Sequence, residues 1–257
     1  MRVVWRLFKV SLLLFALVTH ASVARVFIRN EAARRRFASR NLSRYSRVFL
    51  KILRMRCTLV GIERLEGDPR HFLIIANHLS YLDVMIIAAQ LPALFVTSVE
   101  IENTPVLGTL CRAGGSYFVE RRNRTRLAQE LDSLGQVLSE GVSLVIFPEG
   151  TTSNGDSVLP FKKSLFASAV KAGTPVLPLC IRYLRADGKP VDAISRDSLY
   201  YYGDMTFFAH FWRFIRLRSI DIELVVLDPL DVSSESCRKE LASLSHERIS
   251  QAFAVKF

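Results

Sequence analysis

Acidic residues are almost missing from the first fifth of this 257-residue chain: from Met1 to Arg56, Glu31 stands alone against 14 Lys and Arg. The other 201 residues carry 21 bases and 23 acids, so the formal charge of +11 divides into +13 and −2. A nucleic-acid reader is excluded on this ground, because its cations would lie beside its aromatic or helical reading elements, and this core is nearly neutral. Cysteine is sparse. Cys57, Cys111, Cys180 and Cys237 form no C-x-x-C pair and no metal-ligand spacing, which leaves neither a disulfide framework nor a metal site and fits a reducing compartment. A G-x-S-x-G nucleophile elbow is also missing, which removes the lipase and thioesterase class. There is no internal repeat and no low-complexity tract.

What is present begins with lipid-compatible helices. Half of the residues are hydrophobic, at 50%, and Val10 to Ala24 is an uncharged run, shorter than the roughly 20 residues that cross a bilayer upright. Arg2, Arg6 and Lys9 ahead of this run, with Ala21-Ser22-Val23-Ala24 at its end, also fit a cleavable signal peptide. From Val26 to Met55 the pattern turns Arg-rich and amphipathic, with Phe37, Leu42, Tyr45, Val48, Phe49 and Ile52 at helical spacings. An in-plane or hairpin membrane helix fits, and so does a helix packed on the core. Each well-placed cation beside an anionic leaflet contributes about 1 kcal/mol. The length therefore divides into basic membrane-anchoring helices over residues 1–56 and one α/β domain over 57–257.

Within that domain, strand signals fall at Cys57–Glu63, Phe72–Ala76, Ala93–Ser98, Ser116–Val119, Leu144–Phe147, Val176–Ile181 and Ile222–Leu227. Helical periodicity falls at Tyr81–Gln90, Thr125–Glu140, Lys162–Ala172 and Ser233–Ala254. This alternation predicts an α/β fold with a mixed, largely parallel sheet covered by helices and a site at the strand ends.

His78 sits where such a site should be, at the turn that follows the apolar strand Phe72–Ala76. Ser80 and Asp83 read as a capping-box variant that starts the next helix. Asp83 then lies in the first helical turn, where it can fold back on the imidazole. A histidine held by a carboxylate is suited to taking a proton from an alcohol near neutral pH.

Asn77-His78-x4-Asp83 resembles the first signature block of the glycerolipid acyltransferases, the family of the 1-acylglycerol-3-phosphate O-acyltransferases. Gly115-Ser116-Tyr117-Phe118-Val119-Glu120-Arg121 is similar to its second block, with Glu120 where aspartate is common. Phe147-Pro148-Glu149-Gly150-Thr151-Thr152-Ser153 resembles the third, and Thr174-Pro175-Val176-Leu177-Pro178-Leu179 the fourth. The resemblance runs from about Gly61 to Tyr183, roughly half the chain, with all four blocks in family order.

The resemblance implies an enzyme with His78 as base, Asp83 as its orienting partner, and Asn77, Arg121, Glu149, Gly150 and Thr151 around the acceptor. Arg121 would hold the acceptor's polar head, since a guanidinium fork grips two phosphate oxygens at once. Acyl-CoA or acyl carrier protein is the implied donor, with no metal and no resident cofactor. The implied acceptor is 1-acyl-sn-glycerol-3-phosphate, giving phosphatidic acid. Phosphatidate-forming members commonly carry arginine at the position of Thr152, so lyso-ornithine lipid or a lysophospholipid stands as the alternative. The implied setting is a membrane, with the site on its cytosolic face. Beyond Tyr183, Tyr200-Tyr201-Tyr202 and Phe207–Trp212, followed by Arg213, Arg216 and Arg218, fit either a lipid interface or core packing. His210 in that run reads as structural.

Overall fold

The computed structural model describes residues 1–255 except 67, 69, 121–123 and 234, with the backbone alone for 124–128. Ten helices are found among the described residues: α1 (Arg2–Phe27), α2 (Glu31–Leu53), α3 (Leu82–Gln90), α4 (Val99–Glu102), α5 (Pro105–Ala113), α6 (Arg124–Ser139), α7 (Ala167–Ala172), α8 (Ala193–Leu199), α9 (Phe207–Phe214) and α10 (Arg238–Ala254). The strands are β1 (Met55–Val60), β2 (Leu73–Ala76), β3 (Leu94–Ser98), β4 (Tyr117–Val119), β5 (Leu144–Ile146), β6 (Val176–Ala186), β7 (Lys189–Pro190) and β8 (Ile220–Val226). They form one sheet in the order β1-β8-β6-β2-β5-β3-β4, with β7 paired to β6. Only β6 with β7 and β6 with β8 run antiparallel, so the sheet is mixed and largely parallel, as expected.

Alternation along the strands sends side chains into two separate cores. Ile74 and Ala76 of β2 join Phe49, Ile86, Ile87, Leu179, Leu224 and Phe214 on one face, under α1, α2, α3 and α9. Leu73 and Ile75 join Leu134, Phe166, Ala169 and Ile249 on the other, under α6, α7 and α10. A parallel sheet buried on both faces explains why β2 reads as an uninterrupted apolar run.

Several boundaries differ from the sequence expectation. The Lys162–Ala172 helix resolves into a 3-10 turn at Lys163–Phe166 followed by α7, and the terminal helix starts at Arg238 rather than Ser233. The helices α4, α5, α8 and α9 were not expected. Thr104 caps α5 by accepting from the Gly108 N–H at 3.1 Å, and Pro105 takes the first helical position, where its missing N–H costs nothing.

Helix α1 is longer than the uncharged run because it continues through Lys9 and Arg6 to Arg2. It is long and apolar enough, by length and composition, to cross a membrane. One stripe, Val10, Leu17 and Ala24, is buried, and the first two join the sheet's core cluster. Trp5, Phe8, Leu12, Phe15, Val23, Val26 and Phe27 are exposed on its remaining surface. This helix fits membrane association. Arg6 fastens its start: the guanidinium is buried and donates to the carbonyls of Ile215 (3.3 Å), Arg218 (2.9 Å), Leu53 (3.4 Å) and Leu217. Replacing Arg6 by methionine strands these buried acceptors. We expect a loss of ~1–3 kcal/mol, read as a lower Tm and faster proteolysis within α1; an unchanged Tm would show the anchor to be unimportant.

Candidate active site

Strands β2 and β5 pair side by side in parallel, Leu73 with Leu144 through Ile75 with Ile146. Their continuations leave for opposite faces: β2 leads into α3 in one core, β5 into α7 in the other. In open α/β sheets ligands bind at the carboxyl ends of strands that diverge in this way. Residues 77–83 leave one of them and residues 147–153 the other, so the first and third signature blocks meet there.

His78 Nδ1 lies 2.9 Å from Asp83 Oδ2, and the Asp83 side chain is 0% exposed while that of His78 is 18% exposed. The same Oδ2 accepts from the N–H groups of Leu79 (2.7 Å) and Ser80 (2.9 Å). The capping box is thus half formed. Asp83 reaches back to the Ser80 N–H as expected, whereas the Ser80 hydroxyl accepts from Leu82 N at 3.4 Å rather than from Asp83. Because an ionised carboxylate only accepts, Nδ1 carries the proton. Nε2 is left with its lone pair open, and it has no hydrogen-bond partner among the described residues.

The segment after β5 wraps His78 on three sides. Glu149 Oε1 accepts from the His78 N–H at 2.7 Å, and the His78 carbonyl accepts from the Ser153 N–H at 3.0 Å. Phe147 stacks on the imidazole with ring centroids 3.9 Å apart and planes 10° apart. Glu149 Oε2 accepts from Leu159 N at 2.9 Å, tying down the far end of the loop. Burial pushes the Glu149 carboxyl up to about 7, against its two N–H donors, which favour the anion, while the nearby Asp83 charge adds to the rise.

Two of the residues expected around the acceptor make main-chain contacts. Glu149 is buried, and each of its oxygens accepts from a backbone N–H, so it braces the turn that carries His78. Asn77 is buried, and its amide gives to the Ile181 carbonyl (3.0 Å) and takes from the Ile181 N–H (2.8 Å), splinting the exit of β2 to β6. Gly150 adopts a left-handed φ of 75°, which favours glycine, and its N–H closes a turn onto the Phe147 carbonyl at 3.1 Å. Thr151 is exposed at the tip of that turn, and Thr152 follows it partly buried. Arg121 lies outside the described residues. Among the described residues no three His, Cys, Asp or Glu side chains converge as a metal-holding group.

Tyr183 is a site residue that sequence reasoning missed. Its hydroxyl donates to Asp83 Oδ1 at 2.8 Å, and burial followed by the Asp83 charge raises its own pKa well above the usual value. The only sequence hint was its place at the end of the resemblance. His210 is buried, with Nδ1 2.9 Å from the Tyr81 hydroxyl, and burial lowers its pKa to about 4.

A buried carboxylate that orients a histidine with one open nitrogen, at the carboxyl ends of neighbouring strands, has the geometry that a general base requires. The Acyltransferase family signature covers residues 56–182. The lyso-ornithine lipid O-acyltransferase of Rhizobium meliloti strain 1021 is 30% identical over 76% of this chain and 71% of its own. That of Pseudomonas aeruginosa is 34% identical over 75% and 73%. The 1-acyl-sn-glycerol-3-phosphate acyltransferase of Neisseria gonorrhoeae is 31% identical over 74% and 73%. The crystal structure of the 1-acyl-sn-glycerophosphate (LPA) acyltransferase PlsC from Thermotoga maritima shares the fold, with a TM-score of 0.64 over 100% of both chains and 21% identity. The chain belongs to the acyltransferase family.

Replacing Tyr183 by phenylalanine removes one donor from Asp83 and leaves the packing in place. The relieved carboxylate then attracts the imidazolium proton more strongly, so the acid limb of the kcat/KM profile moves to higher pH. The expected loss is ~10-fold or less in kcat, equivalent to at most about 1.4 kcal/mol, with KM unchanged; an unmoved pH profile would show that the Tyr183 hydroxyl does not tune Asp83.

Proposed function

We propose that this acyltransferase moves a fatty acyl group from acyl-CoA or acyl carrier protein to the free hydroxyl of a lysolipid, at the cytosolic face of a membrane. The observation that carries the chemistry is the His78–Asp83 pair, with Nδ1 held and Nε2 open. Nε2 takes the hydroxyl proton as the oxygen attacks the thioester carbonyl. The tetrahedral adduct then collapses, the C–S bond breaks, and the imidazolium returns the proton to the departing thiolate. The charge held by Asp83 stabilises the imidazolium between the two transfers. The N–H groups of His78, Leu79, Ser80, Gly150 and Ser153 are already bonded within the turns. Those of Thr151 and Thr152, at the tip of the third block's turn, are candidate main-chain donors for an oxyanion. No metal or resident cofactor enters this scheme.

For the acceptor, 1-acyl-sn-glycerol-3-phosphate is the first reading, with phosphatidic acid as product and Arg121 as the clamp on its phosphate. One observation favours a second reading, a lyso-ornithine lipid or a lysophospholipid: Thr152 supplies no cation at the third block. Relatives named for 1-acyl-sn-glycerol-3-phosphate, at 31% identity, and for lyso-ornithine lipid, at 30% and 34%, are too close in similarity to separate the two.

Membranes containing the protein, given labelled acyl-CoA or acyl carrier protein and each lysolipid in turn, should form labelled phosphatidic acid; turnover confined to lyso-ornithine lipid would replace the first reading by the second. His78→Ala should lower transfer by about 10²–10⁴ while membrane binding persists. Unchanged transfer in that variant would remove His78 as the base.

A further inference from the structure

Helix α9 has two unlike faces. Phe214 and His210 are buried, and Phe207 packs on Tyr81 with ring centroids 5.2 Å apart. The opposite face leaves Phe208 82% exposed and Trp212, one turn on, 47% exposed. The Arg216 guanidinium lies 4.8 Å from the Trp212 ring centroid, and Arg213 and Arg218 flank it in the chain.

The start of α1 carries the same combination. Trp5 is 59% exposed and stacks on exposed Phe8 with centroids 5.5 Å apart, and Lys9 lies 5.1 Å from the Trp5 ring centroid. The two places adjoin. Arg2 donates to the Arg216 carbonyl at 3.0 Å, and Arg6 to those of Leu217 and Arg218. An exposed indole with a cation on its face suits the boundary between head groups and acyl chains, where one part stays dry and the other meets phosphate.

We propose that the Phe208–Trp212 face of α9 is a second lipid contact, seated in the same anionic bilayer surface that α1 meets. The inference rests on the membrane reading of α1. Charge selects lipid over a second copy of the chain: a two-fold contact through this face would bring Arg213, Arg216 and Arg218 of both copies together, whereas anionic head groups neutralise them. The contact also has a consequence for the site. His210 of α9 bonds Tyr81, and the Tyr201 N–H bonds the Leu79 carbonyl at 2.9 Å, so α9 and its approach rest on the catalytic turn. Docking α9 fixes the height of His78 above the bilayer.

The chain contains two tryptophans, one on each helix, which makes the test direct. Full-length Trp5→Phe reports Trp212 alone, and Trp212→Phe reports Trp5 alone. Each is bound to vesicles of phosphatidylcholine with phosphatidylglycerol, with brominated acyl chains added in rising proportion. Both emissions should shift to the blue on binding and fall as bromolipid increases. If Trp5 is quenched and Trp212 is not, the proposal is overturned and the reading of α1 stands. If neither is quenched, the reading of α1 fails and the proposal fails with it. A Phe208→Ser/Trp212→Ser double variant adds a functional arm: it should lose transfer several-fold on vesicles while retaining it on a monodisperse short-chain lysolipid, and equal rates in the two settings would also overturn the proposal.

Discussion

A carboxylate shut away from water is tolerated only when donors replace the water it has lost. Asp83 meets this condition with two main-chain N–H groups, the Tyr183 hydroxyl and the His78 imidazole. Each donor comes with a geometric demand. The turn must curl tightly enough for Leu79 and Ser80 to point inward, α3 must begin at Leu82, and β6 must extend far enough to deliver Tyr183. Much of the site is therefore a consequence of keeping one negative charge buried in a defined place, with the imidazole as the member of the shell that also faces outward.

The third block complements this from the neighbouring strand. Phe147, Glu149 and Ser153 act on the ring, the N–H and the carbonyl of the same histidine, so the backbone at His78 is held independently of its side chain. Glu149 also ties Leu159, which makes the closure of its own loop and the placement of His78 a single arrangement. The parallel pairing of β2 with β5 is what allows two segments 70 residues apart to do this, since it sets both strand ends at one level.

The legible parts of the sequence were those in which a local pattern has one cause. The apolar run of β2, the apolar run of β5 and the H-x4-D spacing are each set by neighbours within a few residues. Tyr183 was illegible because its partner lies 100 residues away and because β6 was expected to stop at Ile181. Past that point Arg182 and Arg185 look like solvent-facing residues, yet Arg182 pairs with Glu223 across to β8 in a buried position. The main-chain contacts of Asn77 and Glu149 were illegible for a related reason: a polar residue at a strand end looks the same whether it faces a ligand or another segment of backbone. In α5, Pro105 and Gly108 broke the apolar rhythm, and the helix is explained by the Thr104 cap with Pro105 at its first position.

The stacking of Phe147 on His78 also bears on how the reactants approach. An imidazole pressed flat against a second ring and tethered through Nδ1 cannot rotate to carry a proton from one side of the cleft to the other. The open edge of the ring therefore presents one nitrogen, Nε2, and in the proposed reaction the acceptor hydroxyl and the departing sulfur both have to come to it.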